Sequence, residues 1–222
     1  MPTYELMAGG RDTAFSTNAT RAVGICGALP VGGTSEDQYE IMARSSYTLA
    51  NLFVRVTVNT TSGGNNTVRS RKNGANGNLS VTIDGTTGVF EDTTNSDSLV
   101  AGDLAATQVV TAPAGALTCN IIGYTLENPT DGDTILASTT NVQNGNPMTA
   151  SPTAYIPIGG WIDGDQTEAR WQYTFRVSST LSNLRVFCSN APVQDTTFRT
   201  RINLANGAQS VVVNATGAFE DT

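Results

Sequence analysis

The chain repeats itself. Thr48-Leu-Ala-Asn-Leu-Phe-Val-Arg-Val56 returns as Thr180-Leu-Ser-Asn-Leu-Arg-Val-Phe-Cys188, and Thr67-Val-Arg-Ser-Arg71 returns as Thr197-Phe-Arg-Thr-Arg201. Ala75-Asn-Gly77 returns as Ala205-Asn-Gly207, and Gly88-Val-Phe-Glu-Asp-Thr93 as Gly217-Ala-Phe-Glu-Asp-Thr222. The offset falls from 132 (Thr48 to Thr180) to 130 (Thr67 to Thr197) to 129 (Gly88 to Gly217), a drift that small loop changes produce. A period this long means duplicated domains rather than a solenoid of small units. The expected organisation is a first domain over 1–127, a connector over 128–133 (Asn128-Pro-Thr-Asp-Gly-Asp133) and a second copy over 134–222. Copy one continues through residues 94–127, for which copy two has no counterpart. A sandwich without those strands leaves sheet edges unpaired. Three explanations follow: the chain continues past Thr222, a neighbouring subunit donates the strands, or copy two is a smaller sandwich. The repeat aligns right up to Thr222, which favours the first.

Period-two alternation supplies the fold class. Leu52, Val54, Val56 and Val58 share one strand face, as do Leu79, Val81 and Ile83. The runs Leu117–Tyr124 and Trp171–Val177 read the same way. Each is the pattern of a half-buried antiparallel strand. Gly63-Gly64, Asn73-Gly74, Asn76-Gly77, Asp84-Gly85 and Asn206-Gly207 punctuate the runs as turns. No long segment carries an apolar period of 3.6, so a helical turn or two is all the helix expected. The fold class is therefore all-β: two tandem antiparallel β-sandwich or jelly-roll-like domains, the first with roughly eight strands, the second incomplete at its C-terminus.

Charge removes several functions. The net charge is −7, and of twelve basic residues one is a lysine, Lys72, and the rest are arginines. Such a chain lacks the basic face that displaces counterions from phosphates, so no nucleic-acid partner is expected. No stretch is long and apolar enough for a membrane span. The opening residues lack a basic start and an apolar run, so synthesis and folding in a cytoplasm are expected. The three cysteines, Cys26, Cys119 and Cys188, form no CxxC pair. Cys119 and Cys188 read as buried small hydrophobes, with a Cys26–Cys119 disulfide as the alternative. The sequons at Asn18, Asn59, Asn65, Asn78 and Asn214 read as chance matches in a chain rich in Asn and Thr.

Chemistry is sparse. The chain has no histidine, which removes the commonest general base and the commonest transition-metal ligand. Ser-His-Asp and Cys-His arrangements are therefore ruled out within one chain. Lys72 reads as a solvated residue approaching a turn. Glu91-Asp92 and Glu220-Asp221 stand at equivalent places, but neighbours on a strand point to opposite faces. Neither pair supplies the two facing carboxyls of a glycosidase. The better reading is a strand-end turn closed by Asp92 and Thr93. Asp163, Asp165 and Glu168 are the weak calcium candidates, although their spacing departs from the twelve-residue loop. Asp131 and Asp133 are weaker still. No cofactor is expected. Arg69 with Arg71, and Arg199 with Arg201, share strand faces. Each pair is either a solvated outer face or a contact for a partner carboxylate or neighbouring subunit. Trp161, Trp171 and Tyr173 could form a sugar platform, but Trp171 and Tyr173 alternate with Phe175 and Val177 in a core-like pattern.

The string Arg71-Lys-Asn-Gly-Ala-Asn-Gly-Asn-Leu-Ser-Val, followed by Thr87-Gly-Val-Phe-Glu-Asp-Thr-Thr-Asn-Ser-Asp97 and Val100-Ala-Gly-Asp103, resembles a repeat found in structural proteins of tailed bacteriophages and prophages. The resemblance spans most of copy one and the available part of copy two. Copy two departs from it with Ile202, Leu204 and Gln209 in place of Lys72, Gly74 and Leu79. The resemblance implies a β-sandwich virion component without catalytic residues, made in a host bacterial cytoplasm. A capsid decoration protein on the outer shell comes first. A tail or head fibre module, or an adhesin domain binding a receptor or surface glycan, is the alternative. The implied partners are a phage coat or major capsid protein or a tail protein, and further copies of the chain, with a trimer as the first expectation.

Overall fold

The computed structural model describes residues 4–10, 14–28, 34–127, 138–140, 153, 160–162, 180–188 and 190–221. The chain divides into two compact units, Met1–Ala150 with Ile156–Gly164, and Ser151–Tyr155 with Asp165–Thr222. The expected connector, 128–133, lies outside the described residues. The described residues are strands and turns, with one short 3-10 helix at Glu36–Gln38.

Unit one carries a two-sheet sandwich. Its strands are β1 (Tyr4–Gly10), β2 (Thr20–Val23), β3 (Gly27–Ala28), β4 (Ile41–Met42), β5 (Tyr47–Asn59), β6 (Asn66–Lys72), β7 (Ala75–Ile83), β8 (Gly88–Leu99), β9 (Leu104–Val110) and β10 (Leu117–Glu127). The sequence pattern anticipates about eight of them. The extra ones include β3 and β4, two residues each and too short to show a period. The first sheet runs β3-β1-β10-β5-β8, antiparallel except for β1 with β3. The second runs β2-β9-β6-β7, with β4 continuing β2's side of β9. A parallel pair, β11 (Ser138–Thr140) with β12 (Gly160–Ile162), also belongs to unit one.

The period-two residues meet between the sheets. Leu52, Val54 and Val56 of β5 and Leu117, Cys119, Ile122, Tyr124 and Leu126 of β10 pack against Val68, Leu79, Val81, Ile83 and Val109. Burying each large aliphatic side chain contributes about 1.5–3 kcal/mol. Val58 departs from the expected face. It is 42% exposed. The β5–β10 ladder slips register between Thr118 and Cys119, with Thr57 as the extra residue, so Val58 pairs with Thr118 and no longer continues the inward face of Val56. In β10 the register slips between Cys119 and Ile121, so the inward set changes parity at Asn120. Asn51 takes a positive φ of 49° where β5 loses register with β8 between Ala50 and Leu52. Cys26 and Cys119 are buried and are not joined in a disulfide. Tyr47 and Tyr124 are buried phenols. Desolvation pushes Tyr47 up to about 12 and raises Tyr124 well above the usual range.

Unit two contains β13 (Leu184–Cys188), β14 (Thr196–Ile202), β15 (Ala205–Val213) and β16 (Gly217–Asp221). β13 pairs with β16 and β14 with β15, both antiparallel. These are the pairings of β5 with β8 and of β6 with β7 in unit one. The likeness reaches single residues: Asn183 has φ 57° where Asn51 has 49°, and Asn203 repeats the 49° of Asn73. Val211 and Val213 are buried, whereas Cys188 is only half-buried. Among the described residues no further strand pairs with β13 or β14.

Candidate functional site

The repeated acidic segment lies where β7 and β8, the edge strands of the two sheets, approach each other. An edge strand presents unpaired N–H groups. Here two buried carboxylates from β8 accept them. Asp92 accepts from the Ser80 N–H at 2.9 Å, and Asp97 accepts from the Asn78 N–H at 2.7 Å. Asp97 also accepts from the Ser70 hydroxyl, inside the sandwich, and Asn78 Nδ2 donates to the Ser96 carbonyl at 3.0 Å. Asp92 makes local bonds as well, accepting from the N–H groups of Thr94 (3.2 Å) and Asn95 (3.1 Å) and from Asn95 Nδ2 (3.0 Å). The local side-chain-to-backbone bonds expected of Asp92 are therefore present. They close a bulge inside β8, where register with β5 is lost between Ala50 and Leu52, rather than a strand-end turn. The closing carboxylate is that of Asp92, with Thr94 and Asn95 as donors. The larger role, a bridge from one sheet to the edge of the other, is invisible to local sequence. Desolvation raises the Asp92 carboxyl pKa. The donors from Ser80, Asn95 and Thr94 together outweigh it, and the net shift is downward. Glu91 points the other way and is exposed, as alternation requires. In unit two Asp221 repeats the bridge, accepting from the Ser210 N–H at 2.6 Å.

The β6–β7 ladder loses register between Arg69 and Arg71, and β14–β15 does so between Arg199 and Arg201. Gly77 and Gly207 sit in these irregularities. A Cβ on Gly77 would lie far inside contact distance of Ser70 Oγ and Asp97 Oδ2, and one on Gly207 would strike Thr200 Oγ1. Glycine is what lets the buried hydroxyl approach β7 at this point.

The four arginines share outward faces as expected, but they do different things. Arg71 donates to Asn76 Oδ1 and to the Gly74 carbonyl, clasping its own hairpin. It also grips Glu36 through Nε (3.1 Å to both oxygens) and through the terminal nitrogen at 2.8 Å. That fork holds the 3-10 turn over the outer face of the second sheet, where Ala22 and Ala106 are buried. Arg201 makes the same clasp, to Asn206 Oδ1 at 2.5 Å and to the Leu204 carbonyl. Arg69 is half-buried with its Nε unpaired, and Arg199 is exposed. Arg69 and Arg199 are thus the members of each pair not engaged in a hairpin clasp.

Lys72 is partly exposed, as a solvated residue would be, but it has partners. It pairs with Asp103 at 2.9 Å and donates to the Ser98 carbonyl at 2.7 Å. Asp103 also accepts from the Val100 N–H (2.8 Å) and Asn73 Nδ2 (2.7 Å), while Asn73 Oδ1 takes the Leu104 N–H (2.8 Å). The Val100 N–H, then Asn73 and Lys72, hold the Asp103 carboxyl down to about 2. Both Asp103 and Ser98 come from the part of copy one that has no counterpart in this sequence. Copy two carries Ile202, 54% exposed, at the position of Lys72.

Asp163, Asp165, Glu168, Asp131, Asp133, Trp171 and Tyr173 lie outside the described residues. Trp161 lies in β12. Among the described residues no group of three His, Cys, Asp or Glu side chains is placed to hold a metal ion. No helix among them is long and apolar enough to cross a membrane.

No family model matches the chain, and no curated protein matches it. Among solved structures it is similar to "CBM35 from Cellvibrio japonicus Abf62", at 17% identity and a TM-score of 0.29 over 55% of this chain and 92% of that one.

Proposed function

We propose that this chain is a non-enzymatic structural component of a tailed-phage particle, a decoration protein that stands on the outer surface of the shell. The observation that carries this reading is the use made of the repeated acids. Asp92 and its repeat Asp221 bind main-chain N–H groups, and the duplicated segment that carries them closes a sandwich edge; Asp97, in copy one alone, adds a second such bond. A duplicated module whose polar side chains serve its own rigidity acts through surface area and symmetry. Its partners are coat subunits and other copies of the chain, met through exposed strand faces. Of the four arginines of the repeated pairs, Arg69 and Arg199 are the ones left for such contacts. Arg71 and Arg201 keep the neighbouring hairpins rigid. The phage-repeat resemblance of Arg71–Val81 and Thr87–Asp97 points the same way.

Co-sedimentation of the purified chain with shells that lack it tests the reading. Saturable binding at a fixed ratio to coat protein is expected, and no binding would refute it. Glycan binding without shell binding would replace it with a receptor-binding module.

A further inference from the structure

We propose that the outer face of the first sheet of unit one is a two-fold contact between copies of this chain, in which Arg55 pairs with Glu91 of the partner subunit. On this face β5 and β8 set four side chains in a square. Phe53 lies opposite Glu91, and Arg55 lies opposite Val89. Cross-strand neighbours stand about 5 Å apart and i, i+2 neighbours about 7 Å apart. The two charges therefore occupy one diagonal and the two apolar groups the other. Arg55 and Glu91 are exposed, and the side chain of neither makes a hydrogen bond or ion pair with any described residue; Val89 is 59% exposed and Phe53 is half-buried. The face continues onto β10 and β1 through Ile121, Gly123 and Ala8, a low apolar floor beside the square.

The same square in unit two is arranged differently. Arg185 lies opposite Glu220 and Phe187 opposite Ala218. Arginine and phenylalanine have exchanged places along the strand. The charges now face each other directly and close an ion pair at 3.2 Å within the unit. Unit one has the same side-chain types, with valine for alanine, and leaves its ion pair open. An isologous contact places residue i on residue j of the partner and j on i. With the two-fold axis along the Phe53–Val89 diagonal, each charge falls on its opposite. Arg55 meets Glu91 of the partner subunit, Phe53 meets Phe53 of the partner subunit, and Val89 meets Val89 of the partner subunit. No other occupant is needed to satisfy the charges. The four side chains of the square with their flank on β10 and β1 are far fewer than the roughly 20–30 residues a side of a standard interface. The contact is therefore weak in the free chain, with a dissociation constant above about 1 µM, and its charges weaken further with salt.

The test uses sedimentation velocity on the full chain over about 1–500 µM. Concentration-dependent dimer that declines with salt is expected. Arg55→Glu sets two acids face to face across the axis, and Glu91→Arg sets two arginines face to face. Each variant is expected to lose dimer affinity by at least about 10-fold. Mixing the two variants restores both charge pairs, so a heterodimer of near wild-type affinity is expected. Both positions are exposed, and unchanged circular dichroism melts exclude a folding defect. A wild-type chain that stays monomeric over the whole range, an Arg55→Glu variant that dimerises as well as wild type, or a mixture that does not associate would each overturn the proposal. The outcome is independent of shell binding.

Discussion

The bridge between the sheets makes a sharp distinction between two adjacent acids. Asp92→Asn keeps the shape of the side chain and removes its charge. Asp92 accepts from the N–H groups of Ser80, Thr94 and Asn95 and from Asn95 Nδ2, and it is 7% exposed. An amide keeps one oxygen for the bulge at Thr94 and Asn95, but its NH₂ then faces the Ser80 N–H. One charge-assisted bond contributes about 1.5–3 kcal/mol, and an unsatisfied partly buried donor costs a comparable amount. The expected loss in unit one is about 2–4 kcal/mol, a large fraction of the stability of a domain. Glu91→Gln, next door and exposed, is expected to stay within about 0.5 kcal/mol. A chain of two units need not unfold in one step, so the assay is native-state hydrogen exchange resolved by peptide. Faster exchange is expected across β5–β10, led by Ser80. A loss below about 1 kcal/mol for Asp92→Asn, or equal effects of the two substitutions, would refute the bridge.

Gly77→Ala forces a methyl onto Ser70 and Asp97. It is expected to cost about 2–3 kcal/mol, read as a lower urea midpoint for unit one. Asp103 has its pKa lowered to about 2 from 3.8. Its stabilising contribution is present above about pH 4 and is lost as pH falls through 2. Asp103→Asn should therefore be less stable at neutral pH and show a flatter acid limb, measured by unfolding at stepped pH. Leu204 holds a φ of 65° where Gly74 holds 75°, and it is 59% exposed. A left-handed non-glycine residue costs about 1 kcal/mol, so Leu204→Gly is expected to stabilise unit two by roughly that amount in peptide-resolved exchange.

Sequence and structure agree where one residue's neighbours decide the outcome. The alternation in β5 and β7 maps directly onto burial, because in a strand the side-chain period is the burial period. Asn73-Gly74 forms a hairpin turn with both residues at positive φ, as the dipeptide implies. The misses share another cause. Lys72 looks solvated until Asp103, thirty-one residues on, is brought beside it by β9. Asp97 carries no local signal of burial. Its surroundings come from β6 and β7 and exist only once the two sheets stack. The departures Lys72 to Ile202 and Gly74 to Leu204 are visible in the repeat. Their meaning depends on an ion pair present in copy one and on a backbone angle kept in copy two.

Quantitative peptide mass spectrometry on purified particles from the source tests the central claim most directly, because it asks whether the chain belongs to a virion and in what number. For a decoration protein its peptides are expected at a stoichiometry on the order of hundreds of copies per particle, in fixed ratio to the coat protein, as a symmetric surface lattice requires. A few copies per particle would move the chain from the shell to a fibre or tail. Complete absence from the particles would contradict the structural reading outright.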